Sequence, residues 1–262
     1  MKIGFFDSGL GGLTVLRAVA KELPQYDYVY YGDTANLPYG DKTEEEIYRL
    51  TTIGMEYLFE AGCLLVIIAC NTASAETARR LQQEFIPQRY PDRKILGIII
   101  PTIEVLDFST HTKVTLIGTK RTVESAKYVR ELESRKNDKV IFNQIATPEL
   151  VPLIELGEIE TALAAAIARI EREAGESDVV VLGCTHYTQI KEGLRAHFTD
   201  QKCIISQDEV IPDKLKNYLA NHPELAEKLT SEGVRSVHLT KHRPDYDLLM
   251  GQFLGGAYID EG

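Results

Sequence analysis

No run of roughly 18 or more apolar residues occurs in this chain of 262, so no membrane-spanning helix is expected. The opening stretch MKIGFFDSG has one lysine and a short apolar run, then passes directly into glycine-rich turn chemistry. A secretory signal needs a longer apolar region and a small-residue cleavage site, so a cytoplasmic protein is expected. Positive charge is the scarcer sign: 29 Lys and Arg stand against 39 Asp and Glu, a formal charge of −10. Nucleic acids and anionic membranes would repel such a chain, and neither is expected as a partner. A small acidic substrate in a locally neutralised pocket remains compatible with it.

Cysteine is also scarce. Four of them, Cys63, Cys70, Cys184 and Cys203, are too few in a chain this long for a disulfide framework. No Cys-x-x-Cys pair exists to form a redox disulfide or open a zinc site, so no metal is expected. Nucleotide cradles are missing as well. In DSGLGG, Asp7 to Gly12, the third glycine place of a dinucleotide fingerprint holds Thr14, and no Gly-Lys-Ser/Thr phosphate loop follows. That leaves a tight turn exposing its backbone, with Asp7 and Ser8 at the edge of a strand. LPYGDKT, Leu37 to Thr43, reads from its residues alone as a surface turn.

What the chain does have is alternation. Apolar, β-rich runs at 2–6, 27–33, 64–70, 94–100, 113–119, 139–145, 178–184, 202–207 and 236–240 are separated by helical patterns. The clearest helices are expected over 14–23, 43–62, 122–135 and 159–175. The strands are too apolar for one wet face, so an α/β fold of parallel sheets covered by helices is expected. Active sites in such folds lie beyond the carboxyl ends of the strands. After Pro212 the pattern is mostly helical, then SVHLT and a last helix through PDYDLLMGQFLG, a tail able to return and complete the first sheet.

A weak internal repeat organises the chain. IGFFDS (3–8) resembles VTLIGT (114–119), and VIIACNT (66–72) resembles VVLGCTH (180–186), at nearly equal offsets. Two similar α/β domains are therefore expected, 1–96 plus 212–262 and 97–211, facing each other with one cysteine edge on each. Cys63 and Cys203 start apolar runs and are expected to be inert core residues. Cys70 and Cys184 end them, each followed by polar side chains and by N–H groups left unpaired at a helix start, which favour an anion. A thiol needs a nearby base or dipole to exchange protons at neutral pH. Asp7 offers one beside Cys70, and His186 lies two residues from Cys184. One thiol would suggest covalent catalysis; two flanking a single carbon suggest proton removal on one face and delivery on the other.

FDSGLGGLTVL (6–16), YYGDTANLPYG (30–40), ACNTASA (69–75) and LGCTHY (182–187) together resemble the bacterial glutamate racemases, in order and along the whole chain. The resemblance implies two domains related by a pseudo-twofold axis around one pocket. It also implies interconversion of L- and D-glutamate without a cofactor, supplying D-glutamate for peptidoglycan, by a protein that is often a homodimer. An aspartate or broad-specificity racemase is the alternative. By the resemblance, Cys70 deprotonates the D-isomer and Cys184 the L-isomer, Asp7 and His186 assist them, and Glu155 is the further catalytic carboxylate. Substrate contacts are implied for Asp7, Ser8, Tyr39, Gly40, Asn71, Thr72, Thr119, Thr185 and His186. The chain departs from the family pattern at Thr147, Glu149 and Thr188, the last expected to loosen the turn after the second thiol. It also starts at its first strand, so activation by a peptidoglycan precursor through an N-terminal extension is not expected.

Overall fold

The computed structural model describes residues 1–107, 109–110, 112–135, 140–244, 246–247, 250 and 259–260; at 200, 259 and 260 it describes backbone only. Two sheets form. The first has the order β10-β9-β2-β1-β3-β4, built from β1 (Lys2–Asp7), β2 (Tyr28–Gly32), β3 (Cys63–Ile68), β4 (Lys94–Gly97), β9 (Arg235–Leu239) and β10 (Ile259–Asp260). The second has the order β6-β5-β7-β8, from β5 (Lys113–Gly118), β6 (Ile141–Ala146), β7 (Val179–Gly183) and β8 (Cys203–Ile205). Every described pairing is parallel. The expected α/β class is therefore observed, and the run β2-β1-β3-β4 is repeated as β6-β5-β7-β8. The internal repeat in the sequence is this repeated sheet.

The central strands are buried along their length because helices cover both faces. One apolar core is continuous from the first sheet (Phe5, Tyr30, Ile67) to the second (Leu116, Val181) through Val210, Ile211 and Leu215. These last three belong to the helix Gln207–Asn221, which also packs on Leu13–Glu22. Each sheet keeps a further core on its other face, one around Phe6, Met55 and Ile68, the other around Leu150, Ile170 and Leu182. At about 1.5–3 kcal/mol for each large side chain removed from water, these clusters fix how the two sheets sit together.

Local sequence explains the helix ends. Thr43 caps Glu44–Glu60 with its hydroxyl on the Glu46 N–H, while Glu46 accepts from the Thr43 N–H at 2.9 Å. Three glutamates then follow in the positive first turn. The tail returns as anticipated: β9 pairs with β2, Val29 facing Ser236. The last expected helix lies for the most part outside the described residues.

Three expectations are corrected. The strand expected over 94–100 stops at Gly97, and Ile99–Glu104 is helical. Pro101 is tolerated in that first turn, where no N–H is required, and Ile99 and Ile103 turn inward while Ile100 faces out. The helix expected over 122–135 is broken into Lys120–Glu124 and Lys127–Glu133 at Ala126, which is left-handed with φ 49°. Cys63 is buried, but Cys203 is exposed, because β8 is an edge strand whose alternation puts Ile204 inside and the thiol outside.

Candidate active site

The carboxyl ends of β1 and β3 in one sheet and of β5 and β7 in the other converge on one pocket. It encloses about 600 Å³, its mouth included, and both Cys70 and Cys184 line it. Cys70 is the N-cap of the helix Asn71–Arg80, so its sulfur accepts the Ala73 N–H at 3.4 Å, and its thiol donates to Ser8 Oγ at 3.4 Å. Burial, with the Asp7 charge nearby, pushes this thiol up to about 12, against the pull of Ser8 and the Ala73 N–H.

Asp7 ends β1 fully buried. It accepts the Gly9 N–H at 3.1 Å and the Thr185 hydroxyl at 3.3 Å, the latter from the opposite sheet. Burial raises its carboxyl above the usual range, while the His186 charge and the N–H groups of Gly12 and Gly9 pull the other way. At Gly11 the first sheet's edge comes close against the second. A Cβ there would lie 2.5 Å from Thr185 Oγ1 and 2.9 Å from the His186 backbone nitrogen. Only glycine leaves room for that approach.

On the second sheet, Cys184 precedes the short 3₁₀ helix Thr185–Ile190. Its sulfur is 3.8 Å from His186 Nδ1, and His186 Nε2 is 2.6 Å from Glu155 Oε1. Burial alone would lower the imidazole, but its hydrogen bonds to Cys184 and Glu155 and their charges hold it well above the ordinary histidine value. The departures from the family pattern are accommodated here. The Thr188 hydroxyl donates to the Thr185 carbonyl at 2.9 Å, tying the turn rather than loosening it. Thr147 meets the Tyr187 hydroxyl at 2.8 Å and donates to the Gly118 carbonyl at 3.2 Å. Glu149 lies 3.7 Å from Arg169 in an ion pair away from the pocket lining.

Of the residues singled out in the sequence, Ser8, Tyr39, Gly40, Cys70, Asn71, Thr72, Thr119, Cys184, Thr185 and His186 all line the pocket. Asp7 and Glu155 stand behind it, each bonded to a lining residue. LPYGDKT is no mere surface turn: Tyr39 is buried, its hydroxyl donating to Asp33 at 2.6 Å. The hydroxyls of Thr72, Thr119 and Thr122 form a triangle with sides of 2.9 to 3.2 Å, joining the two sheets across the pocket floor. Thr122, whose N–H donates to the N-cap Thr119 hydroxyl at 3.2 Å, carried no motif of its own. Lys120, Pro148, Val151 and Pro152 also line the pocket and carried no motif. Among the described residues no group of three or more His, Cys, Asp or Glu side chains gathers as metal ligands would. Nor is any described helix long and apolar enough to cross a membrane.

The arrangement is one pocket lined by two cysteines, Cys70 bonded to Ser8 and the Ala73 N–H and Cys184 beside His186. Comparisons with known proteins give the chain's relatives. Residues 13–211 match the model of the Asp/Glu/Hydantoin racemase family. A glutamate racemase of Caulobacter sp. (strain K31) is 38% identical over 280 residues, covering 98% of each chain. The solved glutamate racemase of Aquifex pyrophilus is 32% identical with a TM-score of 0.78, covering 99% of this chain and 97% of that one. That of Francisella tularensis subsp. tularensis SCHU S4, solved in complex with D-glutamate, is 25% identical with a TM-score of 0.86, over 99% and 95%.

Proposed function

The chain belongs to the Asp/Glu/Hydantoin racemase family, and on that premise we propose that it is a glutamate racemase, with Cys70 and Cys184 as its two acid–base groups. The substrate α-carbon lies between the sulfurs. Cys70 takes the α-hydrogen of D-glutamate while Cys184 delivers a proton to the opposite face, and the roles reverse for L-glutamate. Asp7, behind the pocket wall and bonded to Thr185, balances the charge of the substrate ammonium. The arrival of that cation lowers both raised groups and readies Cys70 to ionise. His186, held by Glu155, passes protons to and from Cys184.

Charge that develops on the α-carboxylate as the hydrogen leaves needs fixed donors. Asn71, Thr72 and Thr185, with the N–H groups of the helix start at Asn71, supply them. Ser8, Tyr39, Gly40 and Thr119 complete the substrate's surroundings. In this reading the expected units, 1–96 plus 212–262 and 97–211, draw together around substrate and exclude water. A cytoplasmic homodimer supplying D-glutamate for peptidoglycan fits this chemistry.

The observation carrying the proposal is that both sulfurs line a single pocket, each with its own partner: Ser8 and Ala73 for one, His186 for the other. The purified protein is expected to convert D-glutamate to the L-isomer, followed by circular dichroism, with no cofactor added, and to act far more slowly on D-aspartate. Equal rates on the two would replace the assignment with a broad-specificity racemase; no turnover of either would overturn it.

A further inference from the structure

The residues lining the pocket sort by exposure into an interior and a rim. Cys70, Asn71, Cys184 and His186 are buried, whereas Pro38, Asp41, Lys120, Pro148 and Pro152 are exposed. The rim is thus three stiff, uncharged prolines, one anion and one cation. Among the described residues lining the pocket, Lys120 is the one lysine or arginine.

Both rim charges sit where loops of the two sheets meet. A Cβ on Gly40 would lie 3.2 Å from Thr119 Cβ, and Asp41 and Lys120 are the next residues of those two segments. Lys120 is only loosely engaged along its own helix. Its ammonium lies 3.8 Å from Glu124, and the two side chains are 60% and 50% exposed. So open a pair is weak, and the Lys120 charge still acts on an incoming ion. An amino acid with a second carboxylate arrives with one net negative charge, while the chain as a whole carries −10. Without Lys120 the rim would present only Asp41 to it.

We propose that Lys120 is a specificity-determining residue at the pocket mouth, whose charge favours entry of an acidic amino acid over a neutral one. The inference rests on the racemase reading and adds a residue outside the reacting groups. Lys120→Glu is expected to lower kcat/KM for glutamate about 5- to 10-fold at low salt, through KM, with kcat held within about 2-fold. Lys120→Gln, which removes the charge without reversing it, should lose about 2- to 3-fold. Exposed charges are screened beyond about 10 Å at roughly 0.1 M salt. At about 0.3 M salt the deficit of Lys120→Glu is therefore expected to fall below about 2-fold. No loss at low salt, or a loss undiminished at high salt, overturns the proposal.

A second readout needs no turnover. Iodoacetate and iodoacetamide alkylate the same thiolate but differ in charge, so the ratio of their rates reports the potential at the sulfur. In Lys120→Glu that ratio, read by peptide mass, is expected to fall about 3- to 5-fold at Cys70 and Cys184. At the exposed Cys203 it should stay as in the parent. An unchanged ratio at both pocket thiols overturns the proposal even in a protein that fails to racemise glutamate, and that failure by itself sinks only the assigned reaction.

Discussion

Replacing Glu155 by Gln isolates one charge in the chain Cys184–His186–Glu155. The amide retains a hydrogen bond to His186 Nε2, now 2.6 Å from the carboxylate, but not the negative charge. A hydrogen bond to a charged group contributes about 1.5–3 kcal/mol against about 0.5–1.5 for a neutral one. The difference is about 1–2 kcal/mol, so loss of the charge lowers His186. In the parent, the hydrogen bonds and charges of Cys184 and Glu155 hold His186 well above the ordinary value despite its burial. Lowering it makes the variant lose the imidazolium proton at a lower pH. Its activity deficit should therefore grow as pH rises, to about tenfold at most. Glutamate racemisation measured as pH rises, with the His186 resonance titrated alongside, tests this. The equilibrium constant between mirror images is one, so kcat/KM must fall equally in both directions. A variant profile parallel to the parent's, with His186 titrating unchanged, would refute the coupling.

Two other outcomes follow from the geometry. Gly11→Ala places a methyl carbon 2.5 Å from Thr185 Oγ1 and 2.9 Å from the His186 backbone, so the sheet ends must part. Overpacking of this kind costs about 1–3 kcal/mol, and displacing the thiols by about 1 Å costs up to about 10²-fold in kcat; a normal kcat would show that the contact yields freely. Burial pushes the Cys63 and Cys70 thiols up to about 12, above the ordinary thiol range. Each such group contributes stability that is complete below the unfolded value and is lost as pH rises toward the folded one. Denaturant unfolding should weaken by about 1.4 kcal/mol per pH unit for each thiol between those values, and Cys63→Ala should remove one share of that slope. An unaltered slope in the variant would exclude Cys63 from the alkaline loss.

The features legible in the sequence were those that local pattern determines. Apolar strands ending in a thiol and a polar turn, such as VIIACNT and VVLGCTH, state both the strand and its edge. Helix 44–60 declares its start through Thr43 and Glu46. What stayed hidden depends on neighbours distant in the chain. Cys203 opens an apolar run like Cys63 does, and only its place on an edge strand exposes it. Ile98 to Ile100 continue an apolar run, but packing below the sheet turns them into a helix. Tyr128 and Gln207 have no motif at all, yet both reach the Asn71 side chain from positions distant in the chain. Glu155 was placed by resemblance alone, and its 2.6 Å contact with His186 supplies the physical reason for a carboxylate there.

The account stands on two sulfurs working on opposite faces of one carbon, and hydrogen isotope tracing tests that directly. D-glutamate is converted in deuterated water by the unaltered protein, and both enantiomers are analysed while little has reacted. The prediction is L-glutamate carrying one deuterium at the α-carbon, with the remaining D-glutamate still carrying hydrogen. L-glutamate that retains the original hydrogen would contradict it, because one group would then have both taken and returned the proton.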